Sequence, residues 1–256
     1  MSVLGEKMTT VTKAAVISPA PIRSIDSIFT GTRTYAFVLN HEAVQPDMPA
    51  AGAVPEYWEA AKAELSAADS VLAEVIARNE EPVLSSKGDL FITLVSSIVS
   101  QQISTAAART IWSRFEGLVG EVNPKSVLSR SHEELRGCGL SGRKAEYILG
   151  IAEAWQSGYA DIDWDGLSDE EAMAALIELR GVGTWTAEMI LIFTLLRPDV
   201  FPVGDIGVVR AVERLYSEGE RMSNDELIAK SQDWRPWRTV ATWYLWRSID
   251  PEPVQY

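Results

Sequence analysis

The sequence predicts an all-α protein. From Pro55 onward, apolar residues recur at the spacing of a buried helix face, as at Leu90, Leu94 and Ile98. No stretch shows the sustained alternation of polar and apolar residues that a half-buried strand would need. Within this helical pattern, the segment Leu179–Ala187 contains two glycines two residues apart, which predicts a tight turn between two helices.

Length and composition fit a globular protein with a substantial core, because the chain has 256 residues and 46% apolar content. We predict a partly flexible N-terminal arm over residues 1–54, which are rich in Pro, Ala, Thr and Ser, and a helical domain over residues 55–256. No apolar stretch approaches the roughly 18 to 20 residues of a membrane span, and no secretory leader is evident. We therefore expect a cytoplasmic protein. The single cysteine, Cys138, is interpreted as a small buried hydrophobe.

The periodicity predicts the helices in chain order. Two short helices are expected around 57–65 and 72–76, followed by one that is buried on most sides over 90–99. Further helices are predicted over about 105–116, 143–156, 169–178, 184–197, 206–217 and 233–247. Ser168 and Glu171 have the spacing of a capping box, which predicts the start of the helix at 169.

The glycine turn suggests a way to bind an anion. Gly181 must end one helix, and the next helix begins at Thr184. Because Gly181 and Gly183 lack side chains, backbone N–H groups at this helix N-terminus can approach a phosphate closely. The alternative is an ordinary connection between two helices.

The net charge of −13 argues against a nucleic-acid partner, because affinity for DNA depends largely on basic side chains. The charge is unevenly distributed, however. Residues 1–85 hold 11 acidic and 6 basic residues, and residues 161–178 hold seven acidic residues and no basic one, so these two segments account for 12 of the 13 excess negative charges. The acidity weakens a DNA-binding hypothesis without excluding it.

Five motifs, in this order, resemble the helix-hairpin-helix DNA glycosylases, and among them most closely 3-methyladenine DNA glycosylase II. The motifs are Ile98–Ser104, Gly139–Ile148, Leu179–Ala187, Val200–Asp205 and Trp234–Arg238. The resemblance covers about residues 62–248. It implies two helical subdomains around a cleft, with the helix-hairpin-helix motif and Asp205 on the cleft wall.

By this resemblance, Asp205 is the catalytic carboxylate. Breaking an N-glycosidic bond develops positive charge on the sugar, which a nearby carboxylate can stabilise. An Asp directly before the predicted helix at 206 is also a typical N-cap, and the two roles are compatible. Trp185 stands where strand-nicking members of the family carry a lysine that forms a Schiff base. The resemblance therefore implies a monofunctional enzyme.

The resemblance also implies a pocket for the extruded base, lined by Trp185, Trp246, Gln101 and Met189. For the two tryptophans, the alternative is a place in the helical core. Met189 and Ile206 stand where relatives carry tyrosine, so we expect this pocket to be less aromatic.

DNA contacts are expected from the turn after the third helix, from the hairpin and from the start of the helix at 143. The candidate residues are Gln102, Gly181, Gly183, Thr184, Arg143 and Lys144. Gln102 would fill the gap left by the flipped base, or it would merely cap a turn. Arg143 and Lys144 would contact phosphates, or they would form a solvated charged turn.

Together these features predict a monomeric, monofunctional DNA glycosylase of base excision repair. It would excise alkylated purines such as 3-methyladenine from double-stranded DNA that contains damaged bases, and would leave an abasic site. We expect no membrane association and a place at the nucleoid, or in the nucleus of a eukaryote. No cofactor is expected to be required and no metal is expected to be held by side chains, although the resemblance implies a monovalent cation at the hairpin carbonyls. The alternative is a noncatalytic helix-hairpin-helix DNA-binding protein.

Overall fold

A computed structural model describes residues 49–249 of the chain. The predicted N-terminal arm, residues 1–54, lies outside the described residues except for its last six, so its boundary stays a prediction. Within residues 49–249 every regular element is helical, which confirms the all-α prediction. No helix in this range is long and apolar enough to cross a membrane.

The described residues form twelve α-helices and two short 3-10 turns, at Tyr159–Asp161 and Gln232–Trp234. The α-helices are α1 (Trp58–Ala68), α2 (Ser70–Arg78), α3 (Leu90–Ser100), α4 (Thr105–Val119), α5 (Pro124–Leu128), α6 (His132–Gly137), α7 (Gly142–Gln156), α8 (Asp169–Glu178), α9 (Thr184–Phe193), α10 (Ile206–Tyr216), α11 (Asn224–Ser231) and α12 (Arg238–Ile249).

Two helix predictions were wrong at one end. The helix predicted over 184–197 ends at Phe193, because Leu196 takes a left-handed φ of 51° and Pro198 follows. The helix predicted over 233–247 begins only at Arg238, because Pro236 cannot lie inside a helix without breaking its hydrogen bonding.

Three short helices, α5, α6 and α11, were not predicted, although each begins with a capping box. The boxes pair Asn123 with Ser126, Ser131 with Glu134, and Ser223 with Glu226. The last two have the same Ser-x-x-Glu spacing that predicted α8 from Ser168 and Glu171, where the structure confirms the box. The signal was therefore present in the sequence.

The helices pack in two groups. Helix α7 contacts α3, α5 and α6 in one group, and α12 contacts α1, α2 and α10 in the other. Helix α9 packs against α8 and against α3 of the first group, and its Phe193 stacks on Trp246 of α12 in the second group. Helix α9 therefore joins the two groups, and one continuous apolar core runs through both. Helix α3 is buried on most sides, as predicted.

A buried carboxylate, Asp69, stabilises the second group. It caps α2 through the amides of Val71 and Leu72. Its Oδ2 accepts hydrogen bonds from the Tyr216 hydroxyl at 2.9 Å and from the Trp234 indole at 3.0 Å, and lies 3.3 Å from the Lys230 ammonium group. Burial opposes ionisation, but the hydrogen bonds from Trp234, the Leu72 amide and Tyr216, together with the Lys230 charge, hold the pKa of Asp69 below its usual value.

Candidate active site

The hairpin between α8 and α9 depends on one of its two glycines for its backbone shape. Gly181 has a φ of +96°, and a Cβ atom at this position would lie 2.4 Å from Cδ2 of Tyr147. Gly183 has extended backbone, with φ −98° and ψ 174°, and a Cβ atom there would meet open space. Of the two glycines, only Gly181 therefore needs the conformational freedom of glycine for the tight turn.

Gly183 instead leaves the N-terminus of α9 open. Gly183 is the N-cap residue, and among the described residues no side chain caps this helix. Both Gly183 and Thr184 are exposed. The first turn of α9 can therefore offer backbone N–H groups and the positive end of the helix dipole to an anion.

Asp205 lies at the start of α10 and is its N-cap, as the sequence suggested. Its Oδ1 accepts a hydrogen bond of 2.9 Å from the backbone N–H of Val208. The residue is only 5% exposed. A carboxylate in this position is rigidly placed, because the helix that it caps fixes its rotamer.

Two indoles also donate to this carboxylate. The Nε1 atom of Trp185 donates to Oδ2 of Asp205 at 2.9 Å, and the Nε1 atom of Trp246 donates to Oδ1 at 2.9 Å. Trp185 comes from the first turn of α9 and Trp246 from α12, so three helices converge on one carboxylate. Charge-assisted hydrogen bonds of this kind fix both oxygens of the carboxylate.

The ring of Trp246 is only 2% exposed and stacks on Phe193, with ring centroids 5.7 Å apart. In this structure Trp246 therefore lies behind Asp205, in the core. Its predicted contact with an extruded base stays a prediction.

A cavity of about 740 Å³ opens beside Trp185, between α3, α4 and α9. It is lined by residues of all three helices and of the turn that joins α3 to α4. Its walls include Ser97, Gln101, Gln102, Trp112, Gly183, Trp185 and Met189. Five predicted site residues thus line this cavity, while Asp205 lies outside its lining. The five are Gln101, Gln102, Gly183, Trp185 and Met189. Ile206, next to Asp205, is 65% exposed.

The predicted basic DNA contacts differ in their surroundings. Arg143 is exposed at the first turn of α7. The Nζ atom of Lys144 donates hydrogen bonds to the carbonyl oxygens of Val99, at 2.8 Å, and of Gln101, at 2.7 Å. The amide of Gln101 in turn donates to the carbonyl of Gly181 at 3.1 Å.

Two titratable residues near the site were not predicted. Burial and the negative charge of Asp205 raise the pKa of Glu188 on α9 to about 7. Lys87 lines the cavity, and desolvation lowers the pKa of its ammonium group. Glu188 follows Trp185 by three residues on α9, so its side chain lies near that of Trp185. This spacing was a usable signal for Glu188, whereas nothing local marked Lys87.

Among residues 49–249, no group of three or more histidine, cysteine or carboxylate side chains is arranged to hold a metal ion. The hairpin offers main-chain carbonyls rather than carboxylates.

Residues 95–236 match the HhH-GPD superfamily of base excision DNA repair proteins. A putative DNA-3-methyladenine glycosylase of Bacillus subtilis is 32% identical over 166 residues, which cover 61% of this chain and 58% of that relative. The DNA-3-methyladenine glycosylase 1 of Schizosaccharomyces pombe is 32% identical over 167 residues, covering 63% of this chain and 73% of the relative.

Solved structures show the same fold. A DNA-3-methyladenine glycosidase from Bacillus halodurans superposes with a TM-score of 0.66 at 38% identity, covering 73% of this chain and 87% of that one. A 3-methyladenine DNA glycosylase of Schizosaccharomyces pombe in complex with abasic DNA also gives a TM-score of 0.66, at 31% identity over 74% of this chain and 96% of that one.

Proposed function

Because the chain belongs to the HhH-GPD superfamily of base excision DNA repair proteins, we propose that it is a DNA glycosylase that hydrolyses the N-glycosidic bond of a damaged nucleotide. The observation that carries the proposal is the carboxylate of Asp205, which two indoles and the N-terminus of α10 hold in place. This carboxylate lies beside the cavity and beside α9, whose N-terminus is not capped by a side chain. A protein that only bound DNA would not need so precisely placed a carboxylate.

The cavity would receive the damaged base. A base inside a duplex cannot be reached, so it must leave the stack before its bond to the sugar is cut. Trp185 and Trp112 give the cavity two aromatic walls on which a base can stack. Gln102, exposed at the turn between α3 and α4, would occupy the space left in the duplex.

Asp205 would act on the sugar rather than on the base. As the glycosidic bond breaks, positive charge develops on the sugar, and the carboxylate stabilises it through space. Because Asp205 is almost fully buried, this attraction is less screened than it would be in water. The indoles of Trp185 and Trp246 keep both oxygens oriented during the reaction.

The product would be an abasic site in an intact strand. An indole cannot form a Schiff base, and Trp185 occupies the hairpin position where strand-nicking relatives use a lysine, so we assign a monofunctional reaction. The open N-terminus of α9 would bind a DNA phosphate through Gly183 and Thr184. The hairpin carbonyls suit a loosely held monovalent cation better than a divalent one, which favours carboxylate oxygens.

We assign an alkylated purine, such as 3-methyladenine, as the substrate, and a monomer as the acting form. Alkylation at N3 or N7 makes the purine cationic, which weakens its glycosidic bond and favours stacking on the electron-rich ring of Trp185. The names of the relatives from Bacillus subtilis and Schizosaccharomyces pombe support this class of lesion.

The test is single-turnover release of free base from methylated duplex DNA, with wild type compared with Asp205→Asn. Asn keeps an oxygen for the Val208 amide and the Trp246 indole, which share Oδ1, but turns its amide nitrogen towards the indole of Trp185. The variant should therefore still cap α10 at some cost in stability, so its folding and its DNA binding are measured beside its activity. We expect base release by wild type only, with strand breaks appearing only after alkali. If wild type binds DNA but releases no base from alkylated or deaminated duplexes, the chain is a noncatalytic DNA-binding protein.

A further inference from the structure

The turn that follows α3 has an uncommon backbone shape. Helix α3 ends at Ser100, and α4 begins at Thr105. Between them, Gln102 has a φ of +57°, in the left-handed region that residues other than glycine rarely adopt. A conformation of this kind persists only where surrounding contacts hold it.

Lys144 supplies contacts of that kind from a different helix. It lies in the first turn of α7, and its ammonium group bridges the carbonyl oxygens of Val99 and Gln101 at 2.8 Å and 2.7 Å. Carbonyls at the C-terminus of a helix lack partners within the helix and carry partial negative charge, so a cation is favourable there. Desolvation lowers the pKa of Lys144, which agrees with an ammonium group turned into the protein.

The same turn is held on its other side by the hairpin. The amide nitrogen of Gln101 donates to the carbonyl oxygen of Gly181 at 3.1 Å and lies 3.4 Å from Oγ1 of Thr186. Gln101, which precedes Gln102, is therefore bonded both to α7 and to the hairpin. Gln102 itself is left exposed at the cavity.

We propose that Lys144 is a positioning residue, which fixes the turn at Gln101 and Gln102 so that the Gln102 side chain can enter the duplex when the base leaves. This inference rests on the proposed function, and it replaces a phosphate contact as the role of Lys144. Because both ammonium contacts are to main-chain carbonyls, the charge of Lys144 is engaged within the protein. The neighbouring Arg143 is exposed and remains suited to a phosphate contact.

The first experiment separates a phosphate contact from a positioning role by the salt dependence of binding. The probe is a duplex with a stable abasic-site analogue and 2-aminopurine opposite it, titrated with wild type, Lys144→Met and Arg143→Met. Loss of one phosphate contact lowers the slope of log K against log salt by about one. We expect that change for Arg143→Met and an unchanged slope for Lys144→Met. A lowered slope for Lys144→Met would overturn the proposal.

The second readout is the fluorescence of the 2-aminopurine, which reports the stacking of the base opposite the gap. We expect Lys144→Met and Gln102→Ala to lose the same part of the wild-type fluorescence change, and the double variant to lose no more than either one. Lys144→Arg can still reach carbonyls and should restore part of the change. Additive losses in the double variant would show that Lys144 does not act through Gln102.

The third readout is catalytic. Lys144→Met should slow single-turnover release about tenfold from a paired lesion and much less from the same lesion in a mismatch or single strand, where the base is already free. Equal slowing on both substrates would mean a general loss of structure and would overturn the proposal. If Lys144→Met does not fold, Lys144→Gln takes its place in every assay. Should wild type release no base at all, the proposed function fails, while salt slope and fluorescence still decide the role of Lys144.

Discussion

The indole N–H of Trp246 donates to Oδ1 of Asp205 at 2.9 Å, and the ring of Trp246 stacks on Phe193 and is almost fully buried. The role of Trp246 in this arrangement differs from stacking on a base. In the structure it orients a carboxylate, and its N–H group matters more than its ring face.

Trp246→Phe should therefore lower the rate of base release while leaving DNA affinity unchanged. The substitution keeps a ring against Phe193 but removes one hydrogen bond to the carboxylate. Hydrogen bonds to charged groups contribute about 1.5 to 3 kcal/mol, so we expect a loss of roughly 10- to 100-fold in the single-turnover rate.

The matched control is Trp243→Phe. Trp243 donates its indole N–H to the carbonyl of Pro82 and also packs on Phe193, so this variant loses a similar bond away from Asp205. If Trp243→Phe lost as much of the rate as Trp246→Phe, the effect of Trp246→Phe would be due to general destabilisation and not to the lost bond to Asp205.

The carboxyl group of Glu188 should make the folding stability depend on pH between about 4.5 and 7. Burial and the charge of Asp205 raise its pKa from the usual range to about 7 in the folded protein. The folded state therefore binds this proton more tightly than the unfolded state, and the stability is lost as pH rises from about 4.5 through 7.

Glu188→Gln should remove that dependence. At pH 8.5 we expect the variant to be more stable than wild type by about 1 to 2 kcal/mol, with a smaller difference at pH 5, by urea unfolding. Glu153→Gln is the control, because Glu153 is exposed on α7. The same pH profile for wild type and Glu188→Gln would contradict the assignment.

Asp69 should stabilise the fold with a pH dependence opposite to that of Glu188. Its pKa is lowered in the folded state, so its stabilisation is complete above the usual pKa of a carboxyl group and is lost as pH falls through the lowered value. Asp69→Asn turns an amide nitrogen towards donors on Tyr216, Trp234 and Lys230, and should cost about 2 to 4 kcal/mol at pH 7.

The difference between wild type and Asp69→Asn should shrink below about pH 4, as the carboxyl group of the wild type becomes protonated. Asp233→Asn removes an exposed partner of Lys230 and should change the free energy of unfolding by less than about 0.5 kcal/mol. An Asp69→Asn protein as stable as wild type at pH 7 would refute this account.

The two hairpin glycines should respond differently to alanine. Gly181→Ala forces a side chain into a left-handed conformation and against Tyr147, so it should lower stability by more than about 1 kcal/mol. Gly183→Ala meets open space in extended backbone and should leave the melting temperature nearly unchanged.

Gly183→Ala should nevertheless weaken DNA binding, because its methyl group stands where a phosphate would approach the N-terminus of α9. Thermal unfolding and titration of a duplex that contains an abasic-site analogue check both variants. Unchanged affinity in Gly183→Ala would exclude a close phosphate contact at this residue.

The features that follow from local chemistry could be predicted from the sequence. The capping box at Ser168, the hairpin turn at Gly181 and the N-cap at Asp205 each depend on a few neighbouring residues, and all three are present in the structure. The helix ends near Pro198 and Pro236 were missed because apolar periodicity was given more weight than the effect of proline on the backbone.

The links across the site could not be predicted, because they depend on how distant helices pack. Nothing near Lys144 in the sequence indicates that its ammonium group reaches the end of α3, 43 residues away at Gln101. Likewise, Trp246 and Asp205 are 41 residues apart, and only the packing of α12 against α10 brings the indole to the carboxylate.

The double duty of Asp205 limits how this protein could change over evolutionary descent. Asp205, which we assign to the chemistry, also caps α10 and accepts hydrogen bonds from two indoles. Replacing it with an apolar residue would therefore harm folding as well as activity. Asparagine, serine and threonine could still cap the helix. A related protein that has lost the activity but kept the fold should therefore carry one of these three residues at this position. Their presence in place of Asp205 would indicate that catalysis has been lost.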